Sequence, residues 1–457
     1  MYPAAYSEVF SETFGPVSHH AIGIAFRLQQ CQLTKDQLQA LGRQHKTTRP
    51  RTDYISQVEK ENFCCEKISY SPFAPFGPMH SGTLADSGII ESRPVIVLVT
   101  HCGFRLSSLK RSRVFSVHST TRFLAEPEGL RYNGGALAYA VIGYAAGFAG
   151  LFHSAWAVNL VATVLLAHAM TIAAYLIHEC AHNLVFRNAR HNAALGRFLA
   201  WLCGAAYGTF EDMRYKHFRH HVDVADVAWF DYERFFEEHP YILKTTRFLE
   251  WFYIPAHELI MHTIMAFTAF IIPERRKQRR RNVAVILIRG GLFATLILFF
   301  PRVALMYAVA YMLMLTVLRF MDSIQHDYGY SLTLFQPGAA PRKGDYEWEQ
   351  EHTFDNPHTF NDSVLNWITL NFGFHNAHHS DMMTPWYRLP VKHRELFGDD
   401  PAKVIPLWPQ LKIFHRQRVN RIVGNHTGNE PYGHDYLIAA RNAQVSGGNA
   451  ASFLTAF

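Results

Sequence analysis

The sequence predicts an all-α integral membrane fold: four transmembrane helices in two hairpins, joined to a cytoplasmic helical cap. Three observations carry that expectation. From Tyr132 to Ile177 the chain has no Asp, Glu, Lys or Arg. A second apolar block covers 283–320, with Pro301 and Arg302 at its middle. Histidine, at 27 copies, nearly equals glycine at 28, and several copies cluster just beyond the apolar blocks.

Residues 1–118 mix Ser, Pro, Arg and His with four of the six cysteines, Cys31, Cys64, Cys65 and Cys102. They show no sustained period and open without a signal peptide. They read as a poorly ordered amino-terminal extension, with a helix possible only over 19–44. The membrane domain spans 119–420. At about 1.5 Å per residue, the charge-free run crosses a hydrocarbon core of about 30 Å twice. The spans lie near 136–152 and 156–177 and turn around His153 and Ser154. A soluble core is the weaker reading of so long a run without charge.

The segment ERRKQRRR (274–281) carries seven charged residues in eight and belongs on the cytoplasmic side. A span over 253–272 would place that cluster outside or reverse every later segment. The stretches 192–208 and 253–272 are therefore expected to be interfacial or re-entrant helices. The second hairpin comprises 283–300 and 303–320, in which the long stem of Arg289 is expected to snorkel to the headgroups. Residues 421–457 form a polar tail.

Composition excludes some classes. Charged residues are 18% and aromatics 14%, which argues against disorder. Six cysteines are too few for a disulfide-built fold. The net charge of +7 suits an anionic membrane face or an acidic partner. Nucleic acid is not expected, because the basic run sits between apolar segments and reads as a topology anchor.

The histidine clusters are HECAH (178–182), HFRHH (217–221) and HNAHH (375–379). His178 and His182 are four apart and share one helical face. His217, His220 and His221, like His375, His378 and His379, combine spacings of three and four. A fourth element, MDSIQH (321–326), places Asp322 and His326 four apart at the end of the last span. Imidazole is the commonest metal-binding side chain. Nine histidines exceed what one ion can hold, so a di-metal site is expected, with Asp322 the least secure member. Asp322 could ligate, orient His326 or cap a helix. Glu179 is a candidate outer acceptor for a neighbouring imidazole, and Cys180 is expected to pack. His153, His168, His257 and His262 read as satisfied core residues. His191, His352, His358 and His393 read as surface residues or supports of the ligands. Arg187, Arg214, Lys216 and Arg219 suggest either a dock for an acidic electron carrier or a membrane-facing positive surface.

At these clusters the sequence resembles the membrane fatty acid desaturase superfamily, whose three histidine boxes HECAH, HFRHH and HNAHH match in order. The resemblance covers roughly 120–420. The first-box spacing and His375 at the third box are similar to the methyl-end acyl-lipid desaturases. Asp322 and His326 resemble an extra ligand pair of the acyl-CoA desaturases, in which Asn stands in place of the Asp. The resemblance implies a fatty acyl lipid substrate, O2, two irons and a separate electron donor, cytochrome b5 or ferredoxin. The expected compartment is the endoplasmic reticulum in a eukaryote or the inner membrane in a bacterium. QHDYGY (325–330) resembles a segment of the alkane hydroxylases. A hydroxylase, acetylenase or decarboxylase outcome therefore stands beside desaturation, and a non-catalytic membrane metal-binding or transport protein is the alternative of another class.

Overall fold

The computed structural model describes residues 123–335, 340–360, 364–423 and 431–446. The expected extension over 1–118 and its four cysteines lie outside these residues. What is described is mostly helical. Helices α1 (Gly129–Gly150) and α2 (Trp156–Ala181) pair through a short turn. Their contact depends on absent side chains. A Cβ on Gly147 would meet the Leu166 backbone nitrogen at 2.9 Å, and one on Gly150 would meet Ala162 Cβ at 2.7 Å. Small residues let apolar helices approach this closely.

Three segments among the described residues are long and apolar enough to cross a membrane: Trp156–Ala181, Pro273–Phe299 and Pro301–Asp322. α1 has the length, 22 residues, but its glycines and tyrosines dilute its aliphatic content and it is not one of the three. Between the first two come α3 (Ala189–Leu202), α4 (Phe210–Asp223), α5 (Tyr232–Glu238), α6 (Pro240–Trp251) and α7 (Ala256–Ile271). α7 has only 16 residues, about 24 Å, short of a hydrocarbon core. α8 (Arg279–Phe299) and α9 (Pro301–Asp322) follow, with Pro301 opening α9 where its missing N–H costs nothing.

Two basic elements make contacts beyond those the sequence suggests. Arg289 does not simply snorkel: its guanidinium donates to the Trp201 carbonyl at 2.8 Å, near the end of α3. Nor is the basic run 274–281 merely a topology anchor. Arg275 pairs with Asp212, and Arg281 donates to the carbonyls of Ala206 and Gly208 at 2.6 and 2.8 Å.

The all-α expectation also misses a small parallel pair, β1 (Asp226–Ala228) and β2 (Ser331–Thr333), with Val227 opposite Leu332. The segments that follow α4 and α9 run side by side, and Asp226, Val227, Ala228 and Leu332 are buried. Backbone buried there needs hydrogen-bond partners, and the pairing supplies them. The remaining cap holds α10 (Tyr346–Glu351), α11 (His375–Ser380), α12 (Leu389–Phe397), α13 (Leu407–Gln417) and α14 (Gly433–Arg441). α14 belongs to the stretch read as a polar tail, yet Tyr436, Leu437 and Ala440 pack with Ile324, Phe354, Ile405 and Ile413. Their apolar spacing makes one helical face that the tail's overall polarity hides.

Candidate metal centre

The histidines arrive from the ends of apolar helices and from short cap helices. α2 carries His178 in its last turn and stops at His182. The left-handed Asn183 (φ 59°) then turns the chain back, a conformation asparagine tolerates. α4 is started by Thr209, whose hydroxyl accepts the Asp212 N–H at 3.0 Å, and ends in His220 and His221. Val224 after it is left-handed (φ 49°), a strained conformation for a β-branched residue. That turn lets the Ala225 carbonyl face Nδ1 of His220 at 2.8 Å. Tyr330 closes the helix end by donating to the Val224 carbonyl at 2.7 Å.

Beside a third group of His221, Glu349 and His379, two groups of four histidines result, each able to hold one metal ion. One is His178, His182, His217 and His378; the other is His220, His326, His375 and His379. In the first, His182 and His217 bring their Nε2 atoms to 2.6 Å, and His178 and His378 to 3.1 Å. His221 joins this side, with Nε2 3.1 Å from His217 and 3.2 Å from His378. In the second, His326 Nε2 lies 3.0 Å from His375 and 3.4 Å from His379. The His221 and His379 rings lie 4.2 Å apart, so the groups adjoin. Each H-x-x-H-H box is divided between the two groups. In HFRHH, His217 serves the first and His220 the second, while His221 groups with Glu349 and His379. In HNAHH the pair four apart, His375 and His379, serves the second and His378 the first.

The donor chemistry fits cations. Burial, with neighbouring imidazoles, holds His217, His221, His375, His378 and His379 well below the ordinary histidine range and brings His220 down to about 4. Neutral imidazoles have one N–H each, so the crowded ring nitrogens of His178, His182, His217 and His378 cannot all be satisfied by hydrogen bonds among themselves. Lone pairs directed at a shared cation resolve that conflict.

Carboxylates stand behind the rings. Glu349 Oε1 accepts from Nδ1 of His379 at 2.7 Å. Asp226 Oδ1 lies 3.7 Å from Nδ1 of His326 and 3.9 Å from Nδ1 of His220. Glu179 lies 3.6 Å from Nδ1 of His178 and accepts the Trp386 N–H at 3.2 Å, which fits the outer role expected of it. Asp355 grips His393 and accepts the Asn376 N–H at 2.7 Å, steadying α11. Gln325, beside His326, donates to Asn356 at 3.0 Å. Sequence reasoning did not single out Asp226, Glu349 or Asp355. No spacing marks them, because the fold alone brings them behind the rings.

Several sequence expectations fall elsewhere. Asp322 stands in neither histidine group. Cys180 is buried and free, as a packing residue should be. His168 bridges Tyr139 and the Ile368 carbonyl, whereas His257 is buried with neither ring nitrogen hydrogen-bonded. His393 is buried and paired with Asp355 behind α11, the supporting alternative of the two expected for it. Two of the four basic residues are withdrawn from the surface, whereas Arg187 is exposed and Arg214 half-buried. Lys216 is 4% exposed and Arg219 7%. Arg219 is held by Asp223, Arg214 lies over Phe218, and Arg187 donates to the Leu124 carbonyl. Burial also lowers the Lys216 ammonium to about 8 against the pull of Glu258, Asp322 and Asp226.

A family profile described as fatty acid desaturase matches residues 154–411, a stretch that contains every one of these histidines. The chain belongs to the fatty acid desaturase family. No curated protein and no solved structure matches it. As a family member it is a membrane protein whose substrate is a lipid, and its clustered imidazoles form a candidate di-metal site.

Proposed function

We propose that this protein is an oxygen-dependent di-iron desaturase that introduces a double bond into a fatty acyl chain of a lipid. The observation that carries the reading is the convergence of eight imidazoles into two adjoining nitrogen groups, with His221 beside both, at the ends of apolar helices. His178, His182, His217 and His378, with His221, would hold one iron, and His220, His326, His375 and His379 the other. Asp322 is assigned as a neighbour of this site, with ligation its weakest role. Iron is preferred to zinc because removing hydrogen from an unactivated methylene is an oxidation, and zinc has no redox chemistry. When bound, the iron pair supplies the oxygen-activating chemistry, with electrons from a separate carrier such as cytochrome b5 or ferredoxin.

The chain's own residues keep the donors neutral by burying them. Glu349, Asp226 and Glu179 orient rings from behind, and the acyl chain is held at a fixed depth by apolar surface. In the proposed topology α1 completes the first hairpin, giving four spans. The basic run 274–281 keeps the site on the cytoplasmic side.

Expression in a host lacking the activity, followed by lipid mass spectrometry with double-bond localisation, tests the reading. A new unsaturated acyl chain is expected, with iron near two atoms per chain. A hydroxy acid without new unsaturation would replace desaturation by hydroxylation, and bound metal with no lipid change would replace enzymatic function altogether.

A further inference from the structure

Helices α6 and α13 are fastened to the same place. Arg319 in the last turn of α9 donates to both Glu250 oxygens at 3.0 Å. The next residue, Phe320, meets the Phe414 ring edge-on at 5.6 Å, and its carbonyl accepts from Gln410 at 2.8 Å. The two helices also hold each other: Arg418 lies 3.6 Å over the Tyr253 ring and donates to the Trp251 carbonyl at 2.9 Å. Both therefore lie at the level where α9 ends.

Their outer faces are unlike an ordinary soluble surface. Tyr241 is 85% exposed and Trp408 65%, and Phe248, Trp251, Phe252 and Leu411 are exposed beside them. Between these rings stand four exposed cations, Lys244, Arg247, Lys412 and Arg416. The Lys412 ammonium lies 5.5 Å over the Trp408 ring. The one carboxylate on either helix, Glu250, is buried against Arg319. Exposed aromatics and cations without exposed acid, level with the end of a membrane-crossing helix, match the headgroup layer of an anionic leaflet.

We infer that α6 and α13 form a seat for anionic phospholipid, embedding their aromatic faces at the membrane boundary around the end of α9. The inference rests on α9 crossing the bilayer, not on the reaction, and it extends the membrane contact from the spans to the cap. The face fits a bilayer better than an acidic protein, because the rings would need a complementary apolar partner that a headgroup–acyl boundary provides without specificity.

The test uses the full chain in nanodiscs of phosphatidylglycerol and phosphatidylcholine, the latter brominated near the headgroup end of its acyl chains. Trp251→Phe and Trp408→Phe are each expected to remove part of the bromine-quenched fluorescence. Reversing Lys244, Arg247, Lys412 and Arg416 to Glu is expected to lower the phosphatidylglycerol retained through detergent purification by about tenfold. Metal content checks that these variants stay folded. If Trp251 and Trp408 fluoresce unquenched, the face lies in water and the inference fails. It also fails if those two residues are shielded only when copies of the chain cross-link or when an acidic redox protein is added. Neither readout depends on turnover, so a chain that does not desaturate still reports on the seat.

Discussion

Glu349 Oε1 lies 2.7 Å from Nδ1 of His379, and both side chains are buried. With a metal held at Nε2, this contact would place the proton on the Nδ1 side and leave the Nε2 lone pair facing His326 and His375. Removing such an outer partner typically weakens metal binding 10- to 100-fold. Glu349→Ala is therefore expected to lower iron affinity by about that factor, while Glu349→Gln, which keeps an acceptor oxygen, loses less. Chelator competition measures it, and equal effects for both variants would refute the role.

The division of each box between two groups makes a stoichiometric prediction. His182→Ala and His375→Ala remove donors from different groups, so each variant is expected to keep one metal of two and the double variant none. Metal analysis of purified protein reads this directly. Loss of both metals from either single variant would show a single cooperative site instead.

How much of this was legible in the sequence follows from the range of each signal. Periodicity and charge are local, so the α2 and α9 ends and the histidine boxes were readable. Spacings of three and four place imidazoles on helix faces, and the structure brings those nine histidines into one region. The spacings did not reveal how HFRHH and HNAHH divide among the groups, because that depends on how α4 and α11 face each other. Asp226 and Glu349 carry no pattern at all. Lys216 and Arg219 misled for the same reason: helix position alone does not say that both are buried, with Arg219 donating to the Thr333 and Leu334 carbonyls.

Acid should destabilise the metal-free fold. His220 falls from the ordinary histidine value of 6.5 to about 4 in the folded chain. The fold thus favours neutral imidazole, and that stability is present in full above about pH 6.5. It declines as pH falls through 6.5 and is lost near pH 4, on the order of 3 kcal/mol for this group. The neighbouring lowered histidines act in the same direction. Thermal unfolding of apoprotein in detergent at pH 7.5, 6 and 5 should show a steadily falling midpoint. A flat profile would mean the imidazoles are not buried neutral.

The Arg319–Glu250 pair ties α9 to α6 from within, its two contacts at 3.0 Å and both residues almost fully covered. Breaking one side leaves a buried charge unpaired, so Glu250→Ala should cost about 3–5 kcal/mol. Replacing both with Met should cost far less, since a well-packed apolar pair is often neutral in such a place. Denaturation of the two variants in the same detergent compares them. Because Glu250 also accepts the His257 N–H at 3.0 Å, the double variant retains a penalty for that orphaned donor, roughly 1–3 kcal/mol. A double variant as unstable as Glu250→Ala would show that the hydrogen bond to α7, rather than the ion pair, is what holds these helices together.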